Sequence, residues 1–161
     1  MDSSQITSLV SVGKGYFATA STAGTIKVWE PLKVSPIATI SEDSCSIDFL
    51  VPIIRNNNVN IIYVCQSKLK CFNVKTMRAI TLLENGENTI TAICQNQQRQ
   101  NVLSLGLSNG QIKDFDLQKR SVIRSPNLHQ GERVVAIMSR NKHLVSASQD
   151  GRTIVYDYAK L

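Results

Sequence analysis

Four aromatic–polar pairs recur along this chain at a nearly constant interval, and this periodicity constrains the fold more than any other feature. The pairs are Trp29-Glu30, Phe72-Asn73, Phe115-Asp116 and Tyr156-Asp157. Successive aromatic residues are separated by 43, 43 and 41 positions. A repeat of this length is typical of units that bury their apolar surface only by stacking on one another. The chain is therefore predicted to contain four similar units in series.

The last unit shows what each repeat contains. Leu144–Ser148 alternates apolar and small polar residues, which favours a strand with one buried face. Asp150-Gly151 favours a tight turn, because glycine accepts a positive φ and aspartate tolerates it. The β-branched and aromatic residues from Thr153 to Tyr156 predict a second strand. Turn glycines stand at equivalent places in two other units, at Gly24 and Gly110, whereas the second unit has Gln66-Ser67-Lys68 there.

These units resemble WD repeats, and the resemblance covers nearly the whole chain. It implies an all-β fold, a β-propeller of four-stranded antiparallel blades forming one domain over residues 1–161. The four blades are expected at approximately residues 6–40, 47–83, 89–124 and 133–158. Fifteen strands are predicted, since the fourth unit supplies only Arg133–Met138, His143–Ser148 and Thr153–Tyr158. A partial or open propeller is therefore expected, with an unpaired strand at Thr153–Tyr158 and uncovered flanks on the first and last blades.

How such a propeller is completed stays open at this point. The chain could be a fragment of a longer WD-repeat protein. It could be a half-propeller completed by a second copy or by blades from another subunit. It could also close alone as a small ring, since propellers have about 4–8 blades.

The resemblance also implies a structural hydrogen-bonded network in place of a catalytic site. In WD repeats a histidine, a strand serine or threonine, a turn aspartate and the tryptophan are linked in this way. The fourth unit offers the matching residues, and Trp29 is the tryptophan of the first unit. The candidate network residues are His129, Ser146, Ser148, Asp150, Tyr156 and Trp29.

Composition places the chain among globular proteins. Hydrophobic residues make up 42% and charged residues 19% of its 161 positions, which is not the composition of a disordered chain. The N-terminus lacks the basic start and apolar core of a signal peptide, so a cytoplasmic or nuclear location is expected. Cys45, Cys65, Cys71 and Cys94 show no metal-ligand spacing, and disulfides are not expected in such a chain. No metal or cofactor is predicted.

The net charge of +6 is predicted to concentrate on one rim of the blades. In the WD layout, loops between the first and second strands and between the third and fourth strands share that rim. The candidate basic rim consists of Lys14, Lys33, Arg55, Lys75, Arg99, Lys119, Arg120, Arg140 and Lys142, with almost no acids. The opposite rim is predicted to hold most of the acids.

No catalytic motif is found, so the chain is predicted not to be an enzyme. Asp114 and Asp116 share a strand face and could mimic paired carboxylates, but a solvated strand end is favoured. The expected function is a scaffold for protein–protein interactions in a multi-subunit complex, with possible self-association or partner-supplied blades and no membrane insertion. One alternative is an RNA-associated subunit that uses the basic rim. Another is a substrate-recruiting adaptor that reads a short peptide.

Overall fold

The computed structural model describes residues 4–13, 15–43, 45–55 and 58–158, and these form fifteen strands. The first seven are β1 (Ile6–Gly13), β2 (Tyr16–Ser21), β3 (Thr25–Trp29), β4 (Ala38–Ser41), β5 (Ile47–Arg55), β6 (Asn58–Cys65) and β7 (Lys68–Asn73). The others are β8 (Arg78–Glu84), β9 (Ile90–Gln95), β10 (Val102–Leu107), β11 (Ile112–Asp116), β12 (Ser121–Arg124), β13 (Val134–Arg140), β14 (His143–Ser148) and β15 (Thr153–Asp157). The described residues contain no helix with the length and apolar character needed to cross a membrane.

The strands form four antiparallel sheets in chain order. Sheet 1 is β1-β2-β3-β4, sheet 2 is β5-β6-β7-β8, sheet 3 is β9-β10-β11-β12 and sheet 4 is β13-β14-β15. The all-β prediction is confirmed, and so is the three-stranded last sheet among the described residues. The chain divides into two compact units, Met1–Glu84 with sheets 1 and 2 and Asn85–Leu161 with sheets 3 and 4.

The four aromatic residues of the repeat occupy one register position in all four sheets. Each lies opposite a residue of the second strand, in the pairs Trp29–Phe17, Phe72–Ile61, Phe115–Leu103 and Tyr156–Leu144. We call the sheet face with this pair the back face and the other the forward face. In the unit of residues 1–84, the forward face of sheet 1 packs on the back face of sheet 2. Its fully buried core includes Ala18, Ala20, Ile26, Val28, Ile61, Tyr63 and Phe72.

The unit of residues 85–161 repeats this arrangement. The forward face of sheet 3, with Ala92 and Ile112, packs on the back face of sheet 4, with Val134 and Leu144. The contact is close at Gly106, where an added Cβ would lie 2.6 Å from Cγ1 of Val134. The same rule of forward face on back face therefore holds within each unit.

A repeated lysine on the third strand joins two of the sheets to the connector that precedes them. Lys70 Nζ donates to Glu42 at 2.6 Å, and Lys113 Nζ donates to Asn85 at 2.8 Å. Tyr63 also donates to Glu42. Burial raises the pKa of Glu42, but the bonds from Lys70 and Tyr63 outweigh it and hold that pKa below its usual range. The carboxylate thus fixes the connector between sheets 1 and 2.

The structure corrects one expectation about the cysteines. Cys45 and Cys65 form a disulfide with a Cα–Cα distance of 5.8 Å, although no disulfide was expected. Their separation of 20 residues spans the connector and two strands of sheet 2, so no local pattern indicates that they are close in space. Cys71 and Cys94 are half-buried.

Candidate interaction surface

The cations of the predicted basic rim lie in loops at one end of their own sheets. In each sheet the loop between the first two strands and the loop after the third strand are at this end, because neighbouring strands run antiparallel. Eight of the nine cations are described, and all eight are exposed: Lys33, Arg55, Lys75, Arg99, Lys119, Arg120, Arg140 and Lys142. Lys14 lies outside the described residues. We call this end of each sheet its basic end.

The basic ends hold more acids than the sequence analysis expected. Glu30, Asp116 and Asp157 each end a third strand or follow it directly, so they lie beside the cations. Glu30 pairs with Lys33, and Lys142 lies 3.4 Å from Asp157. The expectation of almost no acids there is wrong, because the polar residue of each repeated pair points to this end.

These acids stabilise loops as well as neutralise charge. Asp116 Oδ1 accepts hydrogen bonds from the backbone N–H of Lys119 at 3.0 Å and of Gln118 at 2.8 Å. The bond from Lys119 holds the pKa of Asp116 below its usual range. The β11–β12 loop is thereby ordered and displays the side chains of Lys119 and Arg120.

Sheets 3 and 4 bring two of the cations to one cleft. A cavity of about 100 Å³ is lined by Asn96, Gln98, Arg99, Lys142, Asp157 and Tyr158. At the basic ends of these two sheets, five cations (Arg99, Lys119, Arg120, Arg140 and Lys142) stand against Asp116 and Asp157 among the described residues. This excess of positive charge makes the cleft suited to an anionic group.

The amide-rich loop between β9 and β10 forms one wall of the cleft. Asn96 Oδ1 accepts bonds from the backbone N–H groups of Gln98 and Arg99, both at 2.9 Å. Gln97 reaches sheet 4, where its Oε1 accepts from the backbone N–H of Asn141 at 3.0 Å. Its own N–H donates to Ser139 Oγ at 3.2 Å. A run of Gln and Asn predicts a polar loop, but its bonds to Ser139 and Asn141 depend on the packing of two sheets.

The opposite ends of sheets 3 and 4 are closer to neutral. The residues there are Glu87, Glu132 and Asp150 against Arg133 and Arg152. Arg152 Nε lies 3.3 Å from Asp150, so part of this charge is paired within one turn. Charge is thus unequal between the two ends of this unit.

The residues of the candidate WD network form separate pairs within the fourth repeat. His129 is buried, and its Nε2 lies 2.8 Å from Ser146 Oγ. Ser148 donates to Asp150 in the next turn. His129 Nδ1 has no hydrogen-bond partner among the described residues. Burial lowers the pKa of His129, although the nearby carboxylate of Asp150 opposes the shift.

The two aromatic residues assigned to the network behave differently. Trp29 Nε1 donates to Thr19 Oγ1 at 3.0 Å, and its ring stacks on Phe17 with centroids 6.2 Å apart. The hydroxyl of Tyr156 is buried and has no partner among the described residues. Burial strongly raises the pKa of Tyr156, so the group stays neutral. Tyr156 therefore fills space in its sheet, and no hydrogen bond among the described residues joins its hydroxyl to the candidate network.

Replacing Tyr156 with phenylalanine is expected to leave the free energy of unfolding unchanged or to raise it by up to about 1 kcal/mol, because a buried hydroxyl without a partner is costly. Trp29→Phe is the matched comparison, and it should lose about 1 kcal/mol with the bond to Thr19. Urea denaturation of both variants measures the difference. A loss above about 1 kcal/mol in Tyr156→Phe would show that the hydroxyl has a partner.

The two carboxylates of β11 lie in different surroundings. Asp114 is 3% exposed and accepts a hydrogen bond from Ser104 Oγ at 2.6 Å, whereas Asp116 orders its loop. The expectation of a solvated strand end is thus wrong for Asp114, which faces the core. Burial raises the pKa of Asp114 despite the bond from Ser104. The described residues contain no cluster of three or more His, Cys, Asp or Glu side chains that could hold a metal ion.

Two solved structures of designed proteins share this architecture. The computationally designed Ika4 protein matches with a TM-score of 0.79 and 23% identity, over 98% of this chain and 93% of that chain. The computationally designed Ika8 protein matches with a TM-score of 0.74 and 22% identity, over 94% of this chain and 45% of that chain. No protein-family model and no curated protein matches the sequence.

At these identities the likeness shows the fold and nothing about activity. Matches extend to 1297 solved chains, and an architecture this common serves many functions. The predicted fold class is confirmed at this level. The chain is an all-β, propeller-like repeat protein built from four antiparallel sheets.

Proposed function

We propose that this chain is a non-enzymatic scaffold of the WD-repeat type that binds other proteins within a multi-subunit complex. The observation that carries the proposal is the cleft at the basic ends of sheets 3 and 4, where Arg99 and Lys142 meet. Its cations are exposed, so a partner can reach them. The WD assignment rests on the aromatic residues that recur at one register position in all four sheets.

The partner chemistry that fits this surface is an acidic protein segment. The cleft is small, so it accommodates side chains of an extended peptide and not a folded domain. Its lining combines two cations, of which Lys142 lies beside Asp157, with the exposed amide of Gln98, which can bond carboxylates and backbone carbonyls. Charge complementarity of this kind raises the association rate and selects the partner.

RNA is the competing ligand, and the cleft gives it less support. Recognition of single strands depends on aromatic side chains on which bases stack. The aromatic residue of the cleft, Tyr158, is 8% exposed, so its ring offers little surface for a base. Phosphate contacts alone would give binding that falls steeply with salt.

Charge reversal at the cleft tests the proposal. The double substitution Arg99→Glu and Lys142→Glu is expected to weaken binding of a fluorescent decaglutamate peptide by more than about tenfold. The matched control, Arg133→Glu with Arg152→Glu, makes the same charge change at the opposite end and should change the affinity less than about twofold. Fluorescence anisotropy at several salt concentrations gives both values, with a uridine oligonucleotide as the second probe. Equal losses in the two variants, or tighter and more salt-sensitive binding of the oligonucleotide, would overturn the assignment.

A further inference from the structure

The forward face of sheet 4 is uncovered, although the equivalent face is buried in sheets 1 and 3. Register pairs Met138 with Val145 and Val145 with Val155, so these three side chains form an apolar row across the sheet. Met138 is 52% exposed and Val155 is 61% exposed. The equivalent position of Val155 in sheet 1 is Val28, which is 1% exposed. The row is flanked by the small side chains of Ala136, Ala147 and Thr153, which are paired in register.

The back face of sheet 1 is also uncovered, although the equivalent face of sheet 2 is buried. It holds the stacked rings of Phe17 and Trp29, together with Thr19, which accepts the bond from Trp29, and Leu9, which is 66% exposed. The equivalent back-face residues of sheet 2, Ile61 and Phe72, are both 0% exposed. Trp29 and Phe17 are only partly buried. Aromatic residues thus lie on one open face, whereas the other open face carries small and β-branched residues together with Met138.

From these two faces we propose that the forward face of sheet 4 docks the back face of sheet 1 in a second copy of this chain. The contact would repeat the rule of forward face on back face that already holds within residues 1–84 and within residues 85–161. The sizes of the side chains are complementary in the same way. In each observed contact, small residues of the forward face (Ala18 and Ala20, or Gly106) pack against larger side chains of the back face. Ala147 and Ala136 would receive the Phe17–Trp29 pair.

Two copies satisfy both open faces at once. In a two-fold dimer each sheet 4 meets the partner's sheet 1, so the same contact occurs twice. Such a dimer brings together eight sheets, the upper end of the usual range for propellers of about 4–8 blades.

The test is the solution mass of the full chain and of variants that change one face at a time. Analytical ultracentrifugation over a concentration series should give twice the mass of one chain. Met138→Lys with Val155→Lys should weaken the dimer more than about tenfold, because lysine charges would be buried in the contact. Both residues are exposed in one chain, so the fold should persist, and circular dichroism verifies this. The control, Leu32→Lys with Val34→Lys, changes two fully exposed residues of the β3–β4 connector and should keep the wild-type mass.

A mixing experiment separates docking of these faces from any other association. Leu9→Glu alters the back face of sheet 1 and should also give single chains. When it is mixed with the sheet 4 double variant, one of the two contacts is unaltered and the other joins opposite charges, so a mixed dimer should form. A single-chain mass for the wild type, dimers that survive both sets of changes, or variants that fail to complement each other would each overturn the proposal.

Discussion

Replacing Phe72 with alanine is expected to lower the free energy of unfolding by about 3–5 kcal/mol. Phe72 is 0% exposed and lies on the back face of sheet 2, within the core shared with sheet 1. Its ring is buried beside Tyr63 and Ile61, so alanine would leave a cavity that two paired sheets cannot close without shifting. Folded domains are stable by only about 5–15 kcal/mol, and the loss is a large part of that.

Thermal and urea denaturation measure this effect. In a chain of this size each kcal/mol shifts Tm by about 2–4 °C, so a decrease of about 6–20 °C is expected. Phe72→Leu keeps most of the volume and should cost less than about 1.5 kcal/mol. If the alanine variant loses less than about 1 kcal/mol, then the contact between sheets 1 and 2 does not depend on the repeated aromatic position.

The strands could be predicted because alternating side chains and turn residues mark them locally. In the fourth unit His143–Ser148 has the predicted bounds, whereas the two strands beside it, Val134–Arg140 and Thr153–Asp157, differ from prediction by one or two residues at an end. The recurring aromatic residues align the four repeats with one another, so the equivalence of Trp29 and Tyr156 could be inferred from the sequence alone. The turn at Gln66 shows the limit of this reasoning, since this residue takes a positive φ of 56° without glycine.

Side-chain partners could not be predicted in the same way, because they depend on packing between sheets. The sequence offered His129 either Ser146 or Ser148, and the fold places Ser146 beside its ring. Asp114 and Asp116 look equivalent in the sequence, yet one faces the core and the other a loop. Cys45 and Cys65 meet because a connector passes the end of β6. The cleft between Arg99 and Lys142 arises in the same way from two loops that lie far apart in the sequence.

Three glycines at one turn position link local geometry to the connectors between sheets. The N–H of Gly24, Gly110 and Gly151 donates to the residue three positions earlier, at 3.1, 3.2 and 3.1 Å. All three have a positive φ, of 76°, 79° and 84°. They differ in their surroundings. An added Cβ at Gly24 would lie 2.6 Å from the carbonyl oxygen of Cys45 and also collide with that of Glu42, whereas at Gly151 no atom of the described residues lies within 4 Å.

Gly24→Ala is therefore expected to destabilise the protein by more than about 3 kcal/mol, and Gly151→Ala by about 1 kcal/mol. Both substitutions place alanine in a left-handed backbone conformation. This strain alone accounts for the smaller loss, which is expected in Gly151→Ala. Only Gly24→Ala forces the 42–45 connector away from the turn, because the colliding atoms are backbone and cannot rotate aside. The displacement would also break the bond from the N–H of Glu42 to the carbonyl of Gly24, which measures 2.9 Å.

The comparison of the two alanine variants isolates the connector contact from the cost of the turn. Urea denaturation gives the two free energies, and hydrogen exchange at the amides of β4 and β5 locates the damage. Faster exchange at these strands in Gly24→Ala alone is expected, since they flank the connector. Equal losses in the two variants would mean that the connector does not press on the turn, and that backbone conformation alone explains the glycine of this repeat.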